Sequence, residues 1–233
     1  PRSTLFPYTT LFRSGDVVIT TMMEHHSDDL PWRRHATVVH VGVDDKGYLD
    51  MDELRATFET HRGHVRFLAA TGASNITGII NPIHEMAALA HANNAYMFVD
   101  AAQLAPHRGI DVLPDSDPGH VDFIAYSAHK MYAPFGIGVL IGPREYFAEG
   151  EPDMVGGGVV DIVETDFVAW SAPPAREEAG SPNVPGAVAL AAAIHMLRRV
   201  GMDRIAEHEH QLVSYAIAKM KEVPGLRIYG PVE

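Results

Sequence analysis

The chain has 233 residues, 46% of them hydrophobic, with 18 Lys and Arg against 30 Asp and Glu and a formal charge of -12. That length and apolar content suit one large α/β domain, or one domain and part of another. An acidic chain with no basic cluster argues against nucleic acid and anionic lipid as partners; no run of about 18 apolar residues reads as a membrane span, and the absence of cysteine excludes disulfides and thiolate metal sites within these residues.

Pro1 to Ser14 read PRSTLFPYTTLFRS. This string resembles the in-frame translation of a short-read sequencing adapter, so residues 1–14 are expected to be a non-native scar outside the fold. On that reading the native protein begins upstream of Gly15 and is truncated here. No signal peptide is visible, which makes the cytoplasm the default location.

From Gly15 onward, apolar runs alternate with helical patterns. Val17 to Met22 and Val38 to Val43 read as strands. Asp50 with Glu53 forms a capping box, and Leu54 and Phe58 stand four apart, so a helix is predicted to about Thr60. Val65 to Ala70 is a strand ending in the turn-rich Thr71-Gly72-Ala73-Ser74-Asn75. Pro82 occupies a first-turn position before Ile83, Met86, Ala87 and Ala90, and Asn93-Asn94 ends that helix. Tyr96 to Val99, Val121 to Tyr126 and Gly138 to Ile141 are further strands. Val188 to Val200 and Ile205 to Met220 read as two helices around Gly201, and Leu226 to Tyr229 as a last strand.

Several of these strands are apolar throughout rather than alternating. That pattern suits a mainly parallel sheet covered on both faces. Ligands of such sheets sit beyond the carboxyl ends of the strands. Read in order, the residues there are Glu24-His25-His26, Asn75, Asp100 and Gln103, then Ser127, His129 and Lys130. An amine, a carboxylate, an imidazole and hydroxyls on one sheet edge are the set that pyridoxal phosphate (PLP) requires. Taken singly, Lys130 is more simply a solvated lysine and Asp100 a turn residue.

Glu24-His25-His26, Ser74-Asn75, Val99-Asp100-Ala101-Ala102-Gln103, Ser127-Ala128-His129-Lys130 and Glu178-Ala179-Gly180-Ser181-Pro182-Asn183 resemble, in that order, the signature segments of the class V aminotransferase family of fold type I PLP enzymes. The nearest branch resembles the group II cysteine desulfurases and selenocysteine lyases. The resemblance implies a three-layer α/β fold with a mainly parallel sheet. Residues 15–200 would be the PLP-binding large domain, truncated at its start, and 201–233 the beginning of a smaller C-terminal α+β domain.

The resemblance also implies roles. Lys130 would carry PLP as a Schiff base, Asp100 would pair with the pyridinium, and Gln103 would contact the ring hydroxyl. His25 would stack on the ring and move protons. Ser127 and His129 would bind phosphate, and Asn75 would lie near the ring hydroxyl and the substrate carboxylate. Ser181 stands where the family reaches the phosphate of a neighbouring subunit, which implies a homodimer. The implied reaction takes a small amino-acid substrate: L-cysteine to L-alanine, with the sulfur passed on as a persulfide and then to a sulfur-acceptor protein. Another class V enzyme, an aminotransferase or epimerase, is the alternative, and an inactive gene fragment is a third reading. Ala128, Ala133, Phe135 and Glu177 depart from the desulfurase pattern and leave the substrate open.

The remaining motifs take simpler readings. His208 and His210 lie two apart on a helix and so point to different sides. No role falls to His61 or His64, and no metal site is expected. Gly156-Gly157-Gly158 does not open a strand-to-helix phosphate loop.

Overall fold

A computed structural model describes residues 12–232 of the chain. Its elements in order are β1 (Val17–Thr21), α1 (His26–Asp29), β2 (Thr37–Val41), α2 (Met51–Thr60), β3 (Val65–Thr71), α3 (Ile83–Ala92), β4 (Tyr96–Asp100), β5 (Phe123–Ser127), β6 (Gly138–Ile141), α4 (Arg144–Ala148), β7 (Val160–Val163), β8 (Val168–Trp170), α5 (Val184–Val200) and α6 (Met202–Lys221). A 3-10 turn, Ala128–Met131, follows β5.

Six strands form one sheet in the order β2-β1-β3-β4-β5-β6. The first five run parallel, and β6 closes the edge antiparallel to β5. The continuous apolar runs are explained by burial on both faces. On one face Ile19, Leu68, Ala70, Met97 and Val99 pack with Leu54 and Phe58 of α2 and with Met86, Ala87 and Ala90 of α3. On the other, Val18, Phe67, Phe98 and Phe123 pack with Trp32 and Tyr146. Register sets the functional edge: Thr71 of β3 pairs with Asp100 of β4, and Asp100 with Ala125 of β5.

Asp50 caps α2, with its Oδ1 accepting from the N–H groups of Asp52 and Glu53. The reciprocal half of the expected capping box is not made. Glu53 Oε2 instead accepts from Gly42 N–H at 2.7 Å, while Asp50 N–H donates to Gly42 O. The helix start is thereby tied to the end of β2 rather than closed on itself. Pro82 is the cap residue of α3 rather than its first turn.

Leu226–Tyr229 does not form a strand. A strand is stabilised by a paired edge, and no described strand pairs with this segment. The β7–β8 hairpin, conversely, was not legible from periodicity. Of the segment expected to lie outside the fold, residues 1–11 fall outside the described range, and the Phe12 ring packs 5.6 Å from Phe67 and 6.3 Å from Trp32. No helix among the described residues is long and apolar enough to cross a membrane.

Candidate active site

The carboxyl ends of β1, β3, β4 and β5 open onto a cavity of about 540 Å³. His25, Asn75, Asp100, Gln103, Ser127, His129 and Lys130 all line it. Ser181, the eighth residue singled out in the sequence, is exposed and does not line this cavity.

Each side chain is placed by a local device. His25 is the cap residue of α1: its Nδ1 accepts from Ser27 N–H at 3.2 Å and lies 3.0 Å from Ser27 Oγ. Nδ1 is thereby engaged in the turn, and the ring lines the cavity. Asp100 ends β4, and its Oδ1 accepts from Ala102 N–H at 2.8 Å. Its carbonyl accepts from Gly72 N–H, and Ala101 N–H continues the sheet to Ala125 O. Lys130 sits in the 3-10 turn after β5. Ala128 and Met131 of that turn are buried against Leu190, Ala193 and Leu197 of α5. The turn closes at Tyr132, whose φ of 65° lies in the left-handed region.

The electrostatics distinguish Asp100 from a surface carboxylate. Burial pushes its pKa up, while the Ala102 N–H and the charges of Lys130 and His25 act the other way. A half-buried carboxylate beside an amine and an imidazole is prepared to receive a cation. Two residues that the sequence did not single out, Asp28 and Thr71, also line the cavity. Asp28 follows the Glu24-His25-His26 segment closely, but nothing in the pattern showed that it is buried.

Among the described residues one further group, His91, His120 and Asp122, brings possible metal-ligand atoms within 4.8 Å of one another. Its imidazoles stack at 4.1 Å with a 21° interplanar angle. Near-parallel rings cannot both hold one ion in their ring planes at the ~2.0–2.1 Å that zinc requires. Both Nδ1 atoms bond backbone carbonyls, those of Pro118 and Asp117. Asp122 also accepts from Met97 N–H, so the group joins α3 to the loop before β5 and to the start of β4.

The architecture is thus a covered, mainly parallel α/β domain with an amine, a carboxylate and an imidazole converging at its strand ends. The chain belongs to the aminotransferase class-V family, whose model matches residues 4–233. It is 38% identical over 222 residues to a probable cysteine desulfurase of Halalkalibacterium halodurans, covering 93% of this chain and 53% of the relative. It is 39% identical over 230 residues to a cysteine desulfurase of Dickeya dadantii, covering 96% of this chain and 54% of the relative. Among solved structures, the cysteine desulfurase CsdA of Escherichia coli superposes with a TM-score of 0.85 at 31% identity, over 94% of this chain and 54% of that one. The cysteine desulfurase of Thermococcus onnurineus gives 0.82 at 37% over the same shares. The chain therefore spans about half the length of the relatives it matches.

Proposed function

We propose that this chain is the PLP-binding part of a cysteine desulfurase-like enzyme, with Lys130 as the residue that attaches the cofactor. The observation that carries the reading is that Lys130 and Asp100, on the adjacent strand ends β5 and β4, line one cavity. The donor set fits PLP group by group: an amine for the aldehyde, a carboxylate for the pyridine nitrogen, amides for the ring hydroxyl, and Ser127 and His129 for the phosphate. When bound, PLP supplies an electron sink for charge developed at a substrate carbon.

The chain's own residues do the rest. Lys130 Nζ would hold PLP through its aldehyde and would move the substrate Cα proton. Asp100 would accept a hydrogen bond from the protonated ring nitrogen, and its burial would strengthen that pairing. His25 would stack on the ring and could move protons at the site. Gln103 and Asn75 would orient the ring hydroxyl, and Asn75 would also meet the substrate carboxylate. The small amino-acid substrate is L-cysteine, as the named activity of the relatives suggests, and the products are L-alanine and persulfide sulfur. The cysteine that takes up sulfur is not among these residues, which include none. In this reading it belongs to the half of the relatives' length that this chain does not span. A homodimer, with Ser181 serving the neighbouring subunit, and a sulfur-acceptor protein complete the reading.

The test is cofactor trapping. After incubation with PLP and borohydride reduction, the mass of the cofactor should appear on the peptide that contains Lys130, and the visible absorbance band should vanish in Lys130→Ala. A band that persists in that variant, or a label on Lys46 or Lys219 instead, refutes the assignment.

A further inference from the structure

At the β1 end of the cavity, where Asp28 is part of the lining, stand two carboxyl groups that the mechanism does not use, Glu24 and Asp28. Asp28 is 1% exposed, and its Oδ1 accepts from Trp32 Nε1 at 3.1 Å. Glu24 Oε1 accepts from the Thr21 hydroxyl at 2.6 Å. The two remaining oxygens, Asp28 Oδ2 and Glu24 Oε2, are buried and receive no hydrogen bond from any other group. The two carboxyls are instead in hydrogen-bonding range of each other. Two carboxylates cannot donate to one another, so this contact becomes a hydrogen bond only when one of them carries a proton. Leaving both oxygens buried and charged would be among the costliest arrangements available to a protein.

We propose that Glu24 and Asp28 share a single proton, and that this proton is a positioning device that fixes the His25 turn between β1 and α1. Glu24 follows β1, Asp28 lies in α1, and His25 stands between them as the cap residue of that helix. The shared proton joins the two ends of the turn from inside. The groups facing the pair offer no substitute. Thr21 and the Thr71 backbone bond to Glu24, Trp32 bonds to Asp28, and the nearest charge from the neighbouring strand is Asp100, which is of the same sign. Lys130 and His25, the basic groups of the site, act on Asp100. Among the described residues neither Glu24 nor Asp28 forms a salt bridge.

Burial, with a smaller push from the Asp100 charge, raises the Glu24 carboxyl to about 7, and burial and the Glu24 and Asp100 charges hold Asp28 well above the usual range. The folded state therefore keeps a proton that the unfolded chain loses near its ordinary carboxyl value. The folded state binds more protons in that interval, so stability falls as pH rises from about 4.5 to about 7, and then levels. Above that range two charges face each other across the turn, and His25 loses its fixed position.

The test uses the chain without cofactor, so its outcome is independent of whether PLP binds. Melting temperature is followed from pH 4.5 to 8 for the wild type and for Asp28→Asn, whose amide can donate to Glu24 without a proton. The wild type should lose several degrees more than Asp28→Asn over this interval, with the difference complete near pH 7. Infrared spectra should show a protonated-carboxyl stretch in the wild type at pH 6 that disappears above pH 7 and is absent in Asp28→Asn. Parallel melting curves for the two proteins, or a carboxyl stretch that survives Asp28→Asn unchanged, overturn the pair. If Asp28→Asn does not fold, Glu24→Gln replaces it with the same expectations, and the wild-type infrared titration decides alone: no protonated carboxyl at pH 6 overturns the proposal.

Discussion

Asp100 shows how much a single position depends on its surroundings. In the sequence it is a polar residue at a strand end, which a turn alone would explain. In the structure it is half-buried, bonded to Ala102 N–H and set in the field of Lys130 and His25. On the proposed reading it pairs with a cationic ring nitrogen. Removing one member of a buried charge pair costs about 3–5 kcal/mol. Asp100→Ala should therefore weaken PLP retention by more than about a hundred-fold, measured by equilibrium dialysis, while leaving the melting temperature of the cofactor-free chain close to that of the wild type. A variant that retains PLP within a few-fold of the wild type would show that Asp100 does not pair with the ring. The residues that touch the cavity were legible because each follows an apolar strand. Asp28 was not, because its burial comes from Trp32 and Glu24 closing over it, a tertiary fact without a periodic trace. His91, His120 and Asp122 were likewise invisible as a group, since the bond that joins His91 to Asp122 crosses 31 residues of chain.

At the scale of elements, the site depends on how closely the loop after β3 approaches the loop after β4. Gly72 makes this possible. A Cβ placed there would stand 2.8 Å from Leu104 Cδ2 and 3.3 Å from Val99 Cγ1. Its N–H meanwhile donates to Asp100 O and holds that strand end. Gly72→Ala should destabilise the chain by about 1–3 kcal/mol, the usual cost of overpacking a filled core, as measured by urea denaturation. An unchanged midpoint would mean that the two loops separate freely. The five parallel strands were readable because burial on both faces demands uninterrupted apolar runs. The β7–β8 hairpin was not, because Asp161, Glu164 and Asp166 interrupt its pattern and most of its residues are exposed. Leu226–Tyr229 had strand composition but lacks a paired edge, and composition cannot supply a partner.

At the scale of the whole molecule, α6 is held differently from every other long helix. It has no buried residue, and Leu212, Val213, Tyr215 and Met220 are exposed. Met202 and Ile205 pack against the α5 cluster at its start. Its clearest polar tie is Glu209, which accepts from Arg108 at 2.7 Å and lies 2.6 Å from His107 Nδ1, both in the loop after β4. Burial raises the Glu209 carboxyl, but the bonds and charges of His107 and Arg108 outweigh it and leave the carboxyl below its ordinary value. A depressed carboxyl contributes stability above its unfolded value and loses it as pH falls through the folded one. The tie is therefore intact at neutral pH and released by acid. An ion pair this accessible contributes on the order of 1 kcal/mol. That is small for the domain and large for a helix with so little apolar anchorage. Glu209→Gln should leave the global melting temperature nearly unchanged while amide exchange in α6 speeds by about five-fold. Acidification should lower the wild-type protection factors in α6, taken relative to the intrinsic rate at each pH, toward those of the variant. The sheet strands should exchange alike in both proteins, since Glu209 touches none of them. Acceleration spread evenly over α6 and the sheet would show instead that helix and sheet open as one unit and that Glu209 is not the local tie.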